Sequence, residues 1–140
     1  MERFSTSLFG EAKTLLLATD GSPKSRLAAQ EALSLGLKCA TLKRLTVMPV
    51  ARRDDERSQA QGIVDEVCAQ GRQKGLPIIC DPSVQVGNSA ELIVNTAQER
   101  GVDLVLLGGR GKSSMAKRLM GHVTENVIGR AHCAVLVVTA

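Results

Sequence analysis

The sequence contains no Trp and no Tyr, and its only two Phe are Phe4 and Phe9. With no aromatic beyond residue 9, modules that read single strands on stacked aromatic platforms are disfavoured. Long apolar runs are missing too, and no stretch approaches the roughly 20 residues a spanning helix needs. Cysteine is sparse: Cys39, Cys68, Cys80 and Cys133. No two form C-x-x-C, and none has a His at zinc-finger spacing. His132 adjoins Cys133, but neighbours in a strand point to opposite faces. The four therefore read as small buried hydrophobes of a reducing compartment. The opening Met1-Glu2-Arg3-Phe4 lacks a basic region followed by an apolar run, so no secretory signal is read and a cytoplasmic location is the default expectation.

What is present fits one soluble globular domain. The chain has 140 residues, 44% of them hydrophobic and 23% charged, an ordinary balance. A chain of this size buries about 68–70% of the surface its unfolded form exposes. The net charge of +4 is unevenly placed. Arg110, Lys112, Lys117, Arg118 and Arg130 stand against Glu125 alone between Gly108 and His132, and the rest of the chain is neutral. So local a field suits a small anion better than a polyanion track, which argues against nucleic acid as a partner.

Along the chain, residues 1–12 form a polar N-terminal extension and 13–140 a single domain. Residues 14–19 are a short apolar run without alternation, as in a strand buried on both faces. Ser22-Pro23 reads as an N-cap and first helical position, and Ala28, Ala29, Ala32 and Leu33 follow at helical spacing to a stop at Gly36 or Lys38. A second strand is expected over 42–50 and a second helix over 54–74, with Ala60, Ile63, Val64, Val67 and Cys68 on one stripe. A third strand is expected over 78–86, at a sheet edge because Pro82 removes a ladder donor. Asn88-Ser89-Ala90-Glu91 has the form of a capping box for a third helix reaching about Arg100. A fourth strand over 102–107, a glycine- and base-rich loop from Gly108 to Gly121, a fourth helix over 122–130 and a last strand over 134–139 complete the pattern. Alternating strands and helices imply an α/β fold, a parallel sheet covered on both faces. Ligands of such sheets bind beyond the carboxyl ends of the strands.

The Gly108–Gly121 loop is the natural place for chemistry. Its glycines let backbone amides approach a ligand, the following helix offers free amides, and Arg110 and Lys112 lie within it. The familiar phosphate loops do not fit. Gly111-Lys112-Ser113 has Leu106 where a Walker loop needs its first Gly, and Asp20-Gly21-Ser22-Pro23 is not a dinucleotide fingerprint.

Three features instead resemble the universal stress protein family, over about residues 13–140. They are Leu17-Ala18-Thr19-Asp20-Gly21-Ser22, the spacing G-x-x-G-x9-G formed by Gly108, Gly111 and Gly121, and Val123-Thr124-Glu125-Asn126-Val127-Ile128. The resemblance implies a Rossmann-like, open five-stranded parallel sheet in the order 3-2-1-4-5. It also implies a homodimer paired through the last strand (Val135, Leu136, Val137, Val138 and Thr139). By the same resemblance the chain is an ATP-binding regulatory domain acting with an unknown protein partner, AMP or ADP being other occupants, and not an enzyme beyond slow ATP hydrolysis. Asp20 would stand near ribose and phosphates and near a Mg2+ or Mn2+ carried with them. The backbone of Val47 would meet adenine, and Leu107 and Gly108 would flank the sugar. Gly111 and Gly121 would wrap the phosphates, with Arg110, Lys112, Val123 and Thr124 beside them. His122 departs from the family pattern, which has Ser or Thr there. An imidazole at that point either holds a phosphate, best when charged, or crowds the nucleotide out.

Overall fold

The computed structural model describes residues 13–39, 41–81, 83–109, 123 and 125–139. Its strands and helices alternate. Strand β1 (Thr14–Thr19) leads to helix α1 (Pro23–Lys38), then β2 (Arg44–Ala51), a 3-10 turn (Asp54–Glu56), α2 (Arg57–Gln73), β3 (Ile78–Cys80) and β4 (Gln85–Val86). Helix α3 (Ser89–Glu99) and strand β5 (Leu104–Gly109) follow. A last helix, α4 (residues 125–130, with 123 also helical), precedes β6 (Ala134–Thr139).

The sheet order is β3-β2-β1-β5-β6, with β4 also paired to β2. All the pairings are parallel. With the short β4 set aside, this is the expected 3-2-1-4-5 order. The alternation of β1 distributes the core between two faces. Leu15 and Leu17 join the apolar stripes of α1 and α2, including Ala28, Ala32, Ile63 and Val67. Leu16 and Ala18 join Ile93, Val94 and Ala97 of α3 and Val127 of α4. Leu16, Leu17, Val105 and Leu106 have no exposed surface, so the two central strands are covered from both sides, as parallel strands must be.

Local chemistry explains the element boundaries. Ser22 caps α1 by accepting from the Ser25 amide at 3.2 Å, ahead of Pro23 in the first turn. Asn88 caps α3 by accepting from the Glu91 amide at 3.1 Å. Each side chain satisfies one of the amides a helix start leaves over.

Four expectations are corrected. The third strand is two strands, β3 and β4, both on β2, as expected where a Pro cannot donate to a ladder; Ser83 and Val84 lie outside both. The second helix opens as a 3-10 turn and becomes α-helical only at Arg57. Gly108 and Gly109 are not loop residues; they extend β5 in register with Val138 and Thr139. Cys68 and Cys80 are not separate hydrophobes but are joined as a disulfide between α2 and β3. Cys39 is buried and Cys133 half-buried, as expected.

Candidate functional site

The carboxyl ends of β1, β2 and β5 form the mouth of the crevice. Thr19 pairs with Pro49, so the next residue, Asp20, comes level with Val50 at the end of β2. Leu17 pairs with Leu106 at the end of the β1–β5 ladder, and β5 runs on to Gly109. The strand-one and strand-four ends are thus direct neighbours.

The turn after β1 is held by a chain of short hydrogen bonds. Asp20 Oδ1 accepts from the Ser22 amide at 2.9 Å. Thr19 Oγ1 donates to Ser25 Oγ at 2.8 Å, and Ser25 Oγ donates to the Ser22 carbonyl at 2.7 Å. Thr19 and Ser25 are buried, whereas Asp20 is exposed. Asp20 therefore shapes the turn through one oxygen and still presents its carboxylate to solvent.

Two glycines allow the surrounding backbone to close in. Gly21 has φ +85°, and a Cβ there would lie 2.6 Å from the Ala60 nitrogen of α2. A Cβ on Gly108 would run into the Lys24 carbonyl and come within 2.8 Å of the Ser25 nitrogen. Such approaches to rigid backbone exclude any side chain. The end of β5 consequently lies against the first turn of α1. That turn contains no acidic residue, and the positive end of the helix dipole has the Asp20 carboxylate just ahead of it, on the Ser22 amide.

The other candidate residues fall into three groups. Leu107 is buried at 5% exposure beneath the crevice, and Val123 packs half-buried on the same core face. Val47 lies in mid-strand, fully buried, with its carbonyl accepting from the Asp81 amide at 3.0 Å. The end of β2 is four residues further on, at Ala51. Arg110, Gly111, Lys112, Gly121, His122 and Thr124 lie outside the described residues.

Sequence reasoning did not find Lys24 and Ser25 as neighbours of Gly108. The Ser22-Pro23 cap placed the helix start, but no local pattern announces which strand it will touch. Among the described residues no group of three or more His, Cys, Asp or Glu is placed to hold a metal ion. No described helix is long and apolar enough to cross a membrane. A resolved pKa shift occurs away from the crevice, at Cys133, whose thiol is pushed up by burial and then by the Asp103 carboxylate. Asp103 accepts from the Lys13 and Thr14 amides, at the opposite ends of the strands.

Comparison with known proteins gives the same architecture. Universal stress protein YxiE of Bacillus subtilis is 30% identical over 145 residues, covering 89% of this chain and 97% of its own. Universal stress protein MJ0577 of Methanocaldococcus jannaschii is 44% identical over 55 residues, a match spanning 39% of this chain and 34% of that one. Among solved structures, a universal stress protein in complex with cAMP superposes with a TM-score of 0.68 at 25% identity, covering 91% of this chain and 97% of that one. The profile of the universal stress protein family itself matches residues 11–139, nearly the whole chain. A parallel sheet in this order, a β1 turn closed by Asp20 and a β5 end too tight for any residue but glycine are therefore features of a chain that belongs to the universal stress protein family.

Proposed function

We propose that this chain is an adenine-nucleotide-binding regulatory domain whose ligand lies across the ends of β1 and β5. The observation that carries this reading is the contact between Gly108 and the first turn of α1. It sets a side-chain-free strand end beside a helix N-terminus, an arrangement suited to phosphate oxygens. The similarity to a universal stress protein in complex with cAMP supports an adenine nucleotide as the class of ligand. Asp20 is exposed at the same mouth, available to a ribose hydroxyl or to a Mg2+ or Mn2+ brought in with the phosphates. With no Trp or Tyr in the chain, the base rests on aliphatic side chains and backbone groups, Val50 being the nearest on β2.

The regulatory part of the proposal is a homodimer formed through the outer edge of β6. That strand ends the sheet, and Val135, Leu136, Val137 and Val138 remain partly exposed along it. Nucleotide at the end of β5 lies one strand from this edge, so occupancy is read by the dimer and by a protein partner in the cytoplasm. ATP is the proposed physiological ligand, with binding rather than turnover as its effect.

Equilibrium dialysis against Mg-ATP, AMP and cAMP, read by adenine absorbance, tests the reading. Saturable, equimolar binding that weakens at least tenfold in Asp20→Asn is the expected result. No binding of any of the three at millimolar concentration overturns it and leaves a dimer that acts through protein contacts alone.

A further inference from the structure

Cys68 and Cys80 occupy a place the nucleotide reading does not use. Cys68 is on the inner stripe of α2 and is 3% exposed. Cys80 ends β3 and is half-buried. Their Cα atoms are 6.4 Å apart and their sulfurs are joined, a separation within the range disulfides span. Both residues line a surface groove of about 420 Å³ between α2 and β3, together with Gln61, Asp65, Arg72 and Asp81. A small reagent in that groove reaches the pair from solvent.

The attachments of Cys80 show what the bond would control. Strand β3 has only three residues, all paired to β2. The next residue, Asp81, donates its amide to the Val47 carbonyl and accepts from Arg100 at 2.9 Å. Its second carboxylate oxygen is buried with no hydrogen-bond partner among the described residues, a cost that loosening this segment relieves. The link to Cys68 is thus a principal tie of a short edge strand to the body of the fold.

We propose that Cys68 and Cys80 form a thiol–disulfide exchange site, served by a small disulfide or thiol entering the groove. In the oxidising direction the more accessible Cys80 thiolate attacks one sulfur of the small disulfide and releases its other half as a thiolate. The Cys68 thiolate then attacks the Cys80 sulfur of the mixed disulfide and releases the second half. The protein loses two electrons, the reagent gains two, and two small thiols leave. The reverse sequence, begun by a small thiolate on Cys80, opens the bond and frees β3.

The full chain equilibrated at graded ratios of glutathione to glutathione disulfide, alkylated and digested with trypsin, provides the test. Cleavage after Arg72 and Lys74 separates the two cysteines, so the bond shows as a linked pair of peptides spanning 58–72 and 75–100. The expected result is a linked fraction that rises and falls with the ratio, with slower amide exchange in β3 and β4 of the oxidised form. In C68S a stable glutathione adduct accumulates on Cys80, whereas in C80S the buried Cys68 gains none. Unlinked thiols at every ratio, a link to Cys39 or Cys133 instead, a bond that no ratio opens, or an adduct on Cys68 in C80S would each overturn the proposal.

Discussion

The two edges of the sheet are built in opposite ways. At one edge β3 is three residues long, the chain leaves the sheet immediately after it, and Cys80 is bonded to α2. At the other, β6 runs six residues in unbroken register with β5 and carries a continuous apolar sequence. A short, interrupted and tethered strand offers little backbone for another chain to pair with. A long apolar edge is a pairing surface, which a protein must either cover or use. The difference shows where one sheet can meet a partner and where it has been closed to one.

The largest expected effect concerns the strand that supports β6. Gly108→Val forces a side chain into the backbone of Lys24 and Ser25, costing about 3 kcal/mol or more by overpacking. Chemical denaturation should show that loss, and adenine-nucleotide binding should go with it. If stability is unchanged, β5 and α1 are not in the contact described.

Lysine placed on each edge separates the two more finely. If the proposed dimer forms through β6, Val137→Lys should convert it to a monomer in light scattering, because a charge on a paired edge is left without solvent. Ile79→Lys on β3 should leave both oligomeric state and stability within about 0.5 kcal/mol of the parent, since Ile79 is already 46% exposed. A reversed outcome would move the interface to the β3 edge.

The smallest effect is a pH dependence on the β6 side. The thiol of Cys133, just before β6, titrates above its ordinary value of 9.0 because burial, and then Asp103, oppose the thiolate. The raised folded-state value favours the protonated native form. Its contribution is fully present below the unfolded pKa and is lost as pH rises through the folded one. Alkaline unfolding curves of Cys133→Ser should therefore be slightly flatter than those of the parent, and identical curves would exclude the coupling.

Much of the fold was legible because its signals are local. The caps at Ser22 and Asn88 act within three residues of themselves, and the stripe through Ala60, Ile63, Val64 and Val67 repeats within one helix. Pro82 marked an edge, although its missing donor divides the strand as well as demoting it. The site was less legible. Asp20 was visible as the residue after β1, but the end of β2 was not, because nothing in a uniformly apolar run marks where that strand emerges from the core.

By itself, then, the sequence determined the alternation of strands and helices, their caps and the two-faced burial of β1, since hydrophobic period and hydrogen-bonding side chains act over a few residues. Three short motifs taken together also pointed to the family. Only the tertiary structure decided that Gly108 must admit the backbone of Lys24, that Thr19 pairs with Pro49 and Leu17 with Leu106, and that Cys68 finds Cys80. Those are meetings between segments brought together by sheet register and helix packing, and a chain read residue by residue carries no mark of the distance at which its parts will finally lie.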